Sequence, residues 1–127
     1  MTTLSYTARL LSPILPVADM DRSLRFYREV FGFEAVRMSA EYAILRRGDT
    51  SLHLTKAADA SVLEQARGHL SFYLEVADIQ SLWAHVSRFK DEYHTRDLFD
   101  REYGMREFHI CDPDGCLILV GQALQAS

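Results

Sequence analysis

The chain has 127 residues, of which 48% are hydrophobic and 25% are charged, and its formal net charge is −4. This length accommodates one domain rather than two, and the composition excludes a disordered, collagen-like or coiled-coil chain. The acidic balance and the lack of a Lys/Arg-rich run argue against nucleic-acid binding and favour neutral or cationic partners. No apolar run reaches the roughly 20 residues that cross a bilayer, and the start has no signal-peptide pattern, so we expect a cytoplasmic protein without membrane contact.

The first predicted elements are a strand and a helix. Residues 15–20 (Leu-Pro-Val-Ala-Asp-Met) pass from an apolar run into Asp19, a residue type whose side chain caps helix N-termini. Apolar residues then recur at helical spacing until Gly32, which is typical of a helix C-terminus. Three short strands are predicted next, at residues 35–38, 42–46 and 50–55.

The second half of the chain repeats this order. Val-Ala-Asp ends at Asp19 in the first half and again at Asp78, and Ser-Leu follows shortly in both places. Asp78 is therefore predicted to cap a second amphipathic helix, which follows a strand at residues 70–76. Residues 90–102 are polar and indicate no particular element; a flap over a binding site and a dimer contact are the two alternatives.

A hairpin is predicted near the C-terminus. Strands at residues 107–111 and 116–121 enclose Asp-Pro-Asp-Gly, in which Pro and Gly are typical of a tight turn. Cys111 and Cys116 flank this turn, but a disulfide is not expected because cytosolic thiols stay reduced. Each half of the chain therefore predicts a strand, a helix and two or three further strands.

Alternation along the strands predicts which side chains lie on the sheet face opposite the helices. The apolar positions of each strand should cover a helix, and the positions between them should lie on the other face. The polar side chains expected on that opposite face are His53, Ser71, Tyr73, Glu75, Glu107 and His109. A solvated surface is one interpretation of this set, and a ligand pocket is the other.

Two groups of motifs extend these observations. The first half contains Val-Ala-Asp, then Ser-Leu-Arg-Phe-Tyr at residues 23–27 and Phe-Gly-Phe at residues 31–33. The second half contains Tyr-Gly-Met-Arg-Glu-Phe at residues 103–108, followed by Asp-Pro-Asp-Gly. In combination they resemble the vicinal oxygen chelate superfamily of glyoxalase I, extradiol dioxygenases, fosfomycin-resistance enzymes and bleomycin-resistance proteins. The ending is most similar to the bleomycin-resistance-like branch, in which Trp stands at the position of Tyr103.

The resemblance implies an α+β fold of two βαβββ modules, whose curled mixed sheets form a cup. Module one is expected at about residues 11–56 and module two at about residues 69–122, within a single domain that spans residues 1–127. It also implies a homodimer, because the cups of this superfamily are commonly completed by a second copy.

The resemblance places the superfamily's metal ligands at Ser12, His53, Ser71 and Leu119. Only His53 has a side chain suited to a divalent ion, whereas a catalytic metal site typically has about three protein ligands. We therefore expect neither a bound metal nor another cofactor.

A metal-free protein that sequesters a small organic ligand, as bleomycin-resistance proteins do, is the function that these observations favour. A cationic, aromatic-bearing ligand and a role in antibiotic resistance are what the resemblance implies. The expected ligand-binding residues are His53, Tyr73, Glu75, Tyr103, Glu107, His109 and Leu119.

Three alternatives stay open. One is a metal-dependent lyase, isomerase or extradiol dioxygenase of the same superfamily. Another is a metal-free enzyme in which Glu75 or Glu107 acts as a general base, with His109 or Tyr73 as its partner. The third is structural, with Glu107 forming an ion pair at a module or dimer contact.

Overall fold

The computed structural model describes residues 4–124, which form two sheets of four strands each. The first half of the chain contains β1 (Ile14–Val17), α1 (Met20–Phe31), β2 (Glu34–Met38), β3 (Tyr42–Arg47) and β4 (Thr50–Lys56). The second half contains β5 (Ser71–Glu75), α3 (Ile79–Val86), β6 (Thr95–Asp100), β7 (Met105–Cys111) and β8 (Leu117–Ala123). A short helix, α2 (Ala60–Ala66), links the halves.

The two sheets have the same topology. Their strand orders are β1-β4-β3-β2 and β5-β8-β7-β6. In each sheet the first strand pairs in parallel with the last, and the other pairs are antiparallel. Two mixed sheets with helices, neither closed into a barrel, confirm the α+β fold predicted from the sequence.

The first helix forms as its sequence predicts. Asp19 accepts a hydrogen bond from the backbone N–H of Arg22 at 3.1 Å, and Gly32 ends the helix in the left-handed region at φ 69°. The helix buries one side, formed by Met20, Ser23, Phe26, Tyr27, Val30 and Phe31.

One expectation, the cap of α3, needs correction, and two elements were not predicted. Asp78 does not cap α3 in the structure of residues 4–124; it has φ 60°, and the side-chain oxygen of Gln122 accepts from Ile79 N–H at 2.9 Å instead. The polar stretch to which no element was assigned contains β6, an edge strand that pairs with β7. The helix α2 was not predicted, because all seven of its residues are at least partly exposed and leave no apolar stripe.

The helices of both halves and the apolar faces of both sheets share one core. Phe26 of α1 packs edge-on against Tyr93 at 4.7 Å between ring centroids, and the Tyr27 hydroxyl donates to Asp112 at 2.8 Å. The helices therefore lie between the sheets, which leaves the opposite face of each sheet open.

Among residues 4–124, the helices are too short and too polar for any of them to span a membrane. Cys111 and Cys116 are both free thiols in this part of the chain.

Candidate functional site

The open face of the second sheet collects most of the predicted site residues. In the sheet register Tyr73 lies beside Leu119, and Leu119 lies beside His109. One step along the strands, Gly121 lies between Glu75 and Glu107. Alternation predicted this common face, and the register places these side chains together on it.

Glu107 of β7 is the centre of a hydrogen-bonded cluster, although its side chain has no exposed surface. Its carboxylate accepts hydrogen bonds from the hydroxyl of Tyr73 at 2.9 Å, from the hydroxyl of Tyr103, and from Nε2 of His109 at 3.0 Å. Arg101 adds a longer contact at 3.5 Å. We call these five side chains the Glu107 cluster.

The donors hold Glu107 in its ionised form. Burial alone would raise the pKa of this carboxyl, as it does for any charge moved away from water. The hydrogen bonds from Tyr103, His109 and Tyr73, together with the charge of Arg101, outweigh burial and hold the pKa below its ordinary value. A negative charge is therefore fixed just beneath the open face.

The two tyrosines are held in their protonated form. Burial, and then the hydrogen bond to Glu107, raise the pKa of Tyr73 well above its ordinary value. For Tyr103 the hydrogen bond to Glu107 is the main cause of a raised pKa. Their side chains nevertheless reach solvent, because Tyr73 is 43% and Tyr103 is 53% exposed. Both rings are thus available to a ligand while their hydroxyl protons are directed inward.

Gly121 explains how Tyr73 reaches across the sheet. A Cβ atom at this position would overlap the phenol oxygen of Tyr73, so a larger residue would displace the ring. The sequence offered no sign of this role, because a glycine near the end of a strand is common. Tyr73, the residue that needs the space, lies 48 residues earlier in the chain, on β5.

Residues of β6 and of the turn after it complete the face. The rings of Phe99 and His109 form a T-shaped pair at 5.2 Å between ring centroids, and the guanidinium of Arg96 lies 3.6 Å from the centroid of Phe99. Arg101 lies 4.9 Å from the ring centroid of Tyr103. Phe99, Arg96 and Arg101 were missed at the sequence level, because the polar stretch that contains them gave no strand signal.

Three predicted site residues do not belong to the Glu107 cluster; one of them, Leu119, lies beside it on the same face. His53 belongs to β4 of the first sheet, where its Nδ1 is 2.7 Å from the hydroxyl of Tyr42. Ile14 and Ile44 are its neighbours on the adjacent strands. Glu75 shares the face of the Glu107 cluster but also lines a cavity of about 690 Å³ near the C-terminal end of α1. The structure therefore divides the predicted set between two sheets.

The positions that correspond to the superfamily's metal ligands do not fit a metal ion. Two are serines, Ser12 and Ser71, and a third is the aliphatic Leu119. Across residues 4–124, no group of three or more His, Cys, Asp or Glu side chains is arranged to hold one.

The ion pair that the structural alternative expected for Glu107 is present in part, since Arg101 and His109 both contact the carboxylate. The neighbouring Arg106 pairs elsewhere, with Asp100 at 2.7 Å. Within the single chain, the half-exposed rings of Tyr73 and Tyr103 form the open side of this network.

Comparisons with known proteins agree with this architecture. The family model described as the Glyoxalase/Bleomycin resistance protein/Dioxygenase superfamily matches residues 4–120. A bleomycin resistance protein from Geobacillus stearothermophilus is 27% identical, over 90% of this chain and 96% of its own length. A probable trivalent organoarsenical cleaving enzyme from Bacillus subtilis is 28% identical, over 78% of this chain and 69% of its own length.

Solved structures agree in fold. A bleomycin-binding protein complexed with bleomycin superposes with a TM-score of 0.77 at 24% identity, covering 91% of this chain and 98% of that chain. A family model that matches nearly the whole chain, together with the repeated mixed sheets, identifies the superfamily that the motifs resembled. The chain belongs to the glyoxalase/bleomycin resistance protein/dioxygenase superfamily.

Proposed function

We propose that the protein sequesters a small organic ligand on the open face of its second sheet, without a metal ion. The observation that supports this most is the Glu107 cluster, where two half-exposed tyrosines and an oriented histidine surround a buried charge. Aromatic surface with a few fixed polar groups is the usual composition of an organic-ligand site. The proposed ligand-binding residues are Tyr73, Glu75, Tyr103, Glu107, His109 and Leu119, with His53 from the first sheet.

The functional unit that we propose is a homodimer of single-domain chains, with modules at about residues 11–56 and 69–122. Within one chain the open faces of the two sheets lie on opposite sides of the helices, so a cup between them needs a second copy. Ile14 on the first open face is 56% exposed, and Leu11 before it is 94% exposed. Apolar surface of this kind favours a protein contact. In the dimer, the first sheet of each protomer would cover the second sheet of its partner.

The similarity to bleomycin resistance proteins supports a drug such as bleomycin as the ligand and antibiotic resistance as the role. We further propose that the ligand is cationic and aromatic and that the protein acts in the cytoplasm. The net charge of −4 favours association with cations. Tyr73, Tyr103 and Phe99 supply aromatic surface on which planar rings can stack.

Calorimetric titration and thermal unfolding with bleomycin test this proposal. A ligand at one hundred times its Kd adds about 2.7 kcal/mol to the free energy of unfolding, which raises Tm measurably. We expect Tyr103→Ala to weaken binding about tenfold through lost stacking. Glu64→Gln, on the exposed surface of α2, is the matched control and should bind normally.

Two outcomes would contradict the proposal. One is the failure of bleomycin and of a panel of other aromatic cations to shift Tm. The other is turnover of a 2-oxo aldehyde or a catechol that appears when a divalent metal is added, which would favour the metal-dependent enzymes of the superfamily instead.

A further inference from the structure

The protons of the Glu107 cluster can be counted. Glu107 is ionised, so its oxygens only accept hydrogen bonds. Tyr73 and Tyr103 each have one hydroxyl proton, and each donates it to Glu107. His109 donates from Nε2 to the other carboxylate oxygen.

This arrangement fixes what the same three groups present to the open face. A phenol that has donated its proton inward has only lone pairs left for a ligand. Where the imidazole of His109 carries one proton, that proton lies on Nε2 toward Glu107 and Nδ1 is the acceptor. The two phenols, and His109 in this form, are therefore limited to accepting hydrogen bonds from a ligand.

We propose that Glu107 is a positioning residue that makes Tyr73, Tyr103 and His109 a set of hydrogen-bond acceptors, and that this set selects ligands with N–H donors, above all primary ammonium groups. This inference rests on the proposed function, since it assigns the chemistry of the ligand's polar end at the same face. Glu107 has no exposed side-chain surface and acts through the three side chains rather than by touching the ligand.

Two features of the face support this role. Gly121 makes the room that lets the Tyr73 hydroxyl reach Glu107, so the sheet itself is adapted to the inward hydrogen bond. Glu75, exposed on the same face and aligned with Gly121 in the register, is a further acceptor near Tyr73.

Two arginines lie near the acceptor set, so the charge of a ligand alone does not predict how tightly it binds. Arg101 already contacts Glu107 and Tyr103, and Arg96 lies over Phe99. These guanidinium groups repel every cation, so two ligands of equal charge separate the effect of N–H donation from that of charge.

The test uses 2-naphthylmethylamine and its N,N,N-trimethyl derivative. Both have one positive charge and the same ring system, but only the primary amine has N–H donors. We expect the primary amine to bind about tenfold more tightly, as measured by protein NMR titration, because its hydrogen bonds involve a charged donor. Tyr73→Phe keeps the ring and removes one acceptor, so it should bring the two affinities within about threefold of each other. Glu64→Gln should leave the preference unchanged.

Equal affinities in the unmodified protein would overturn the inference and would indicate an aromatic cage that recognises charge alone. Failure of both probes to bind at millimolar concentration would also overturn it. In either case, a Tm shift with bleomycin would still support the proposed function. If bleomycin also gave no Tm shift, both the inference and the proposed function would be contradicted.

The positioning role has its own readout. In Glu107→Gln the side-chain amide can donate to the phenols, which frees their protons to turn outward, so the preference for the primary amine should fall. The ultraviolet absorbance of tyrosinate should also appear at lower pH, because the hydrogen bond to a carboxylate no longer raises the phenol pKa values. Unchanged tyrosine titration together with an unchanged preference would contradict the role. Should Glu107→Gln fail to fold, Tyr103→Phe leaves the carboxylate three donors and tests the same acceptor set.

Discussion

The hairpin formed by β7 and β8 has two buried carboxylates that the protein treats in opposite ways. Asp112 is 4% exposed and Glu107 is fully buried, so both lose most of their hydration. Burial raises the pKa of Asp112 despite hydrogen bonds from Tyr27 and two backbone N–H groups. The pKa of Glu107 is lowered, because three side-chain donors and the charge of Arg101 outweigh the same effect.

The difference separates a structural acid from one at the candidate site. Asp112 lies on the helix side of the hairpin and ties α1 to the second half through Tyr27. Its neighbour Asp114 extends the connection, since it accepts from the backbone of Ala18 and from the side chains of Arg22 and Ser23. The Asp-Pro-Asp-Gly turn is therefore an attachment point between the halves, whereas Glu107 organises the open face.

The largest effect on stability is expected from Asp112→Ala. This change leaves the buried hydroxyl of Tyr27 and the backbone N–H groups of Asp114 and Cys116 without their acceptor, and we expect the free energy of unfolding to fall by about 3 kcal/mol. Urea denaturation measures this loss. Asp112→Asn keeps an acceptor oxygen and should cost clearly less. A loss below about 1 kcal/mol in the alanine variant, within the range of one ordinary hydrogen bond, would contradict the structural role.

Gly121→Ala should disturb the side chains around Glu107. The added methyl group displaces the half-exposed Tyr73 from Glu107, so we expect ligand affinity to fall about tenfold while stability changes by no more than about 1 kcal/mol. Calorimetric titration with bleomycin measures the affinity. In a Tyr73→Ala background the glycine substitution should have almost no further effect, because the side chain it displaces is gone. Fully additive losses would show that Gly121 acts by another route.

Opposite pKa shifts predict opposite pH dependence. The pKa of Glu107 is lowered on folding, so its contribution to stability is present above its unfolded value and is lost as the pH falls through its folded value. The folded protein instead binds the Asp112 proton more tightly than the unfolded chain does, because that pKa lies above the ordinary 3.8. Stability from Asp112 therefore decreases as the pH rises from about 3.8 through the raised value.

Unfolding free energies measured from acid to neutral pH check these signs. Relative to the unmodified protein, Glu107→Gln should be most harmful near neutral pH and less harmful in acid. Asp112→Asn should show the reverse trend. Parallel profiles for the two variants would mean that the two carboxylates do not differ as the structure indicates.

The fold was predictable because its signals are local or repeated. Val-Ala-Asp opens α1 and α3, and alternation within β5 and β7 correctly assigned Tyr73, Glu107 and His109 to one face. Such patterns follow from the geometry of helices and strands and need no knowledge of distant contacts.

The rest of the site depends on contacts that a sequence pattern does not encode. The strand β6 was hidden because it is polar and its pairing with β7 shifts between Arg96 and Phe99, which breaks the alternation. The role of Gly121 depends on Tyr73, which is distant in sequence. The cap of α3 similarly comes from Gln122 on β8 rather than from the adjacent Asp78.

The smallest effect is expected from metal removal, because His53 lies on the first sheet, whereas both buried carboxylates belong to the β7–β8 hairpin of the second half. We expect the purified protein to contain less than stoichiometric zinc, iron, manganese or nickel, and chelation to leave Tm unchanged. Elemental analysis and thermal unfolding measure these directly. His53→Ala should alter neither value, whereas one metal per chain that disappears in this variant would contradict the metal-free interpretation. Such a metal would need further ligands beside a single imidazole, because metal sites in proteins typically have about three protein ligands.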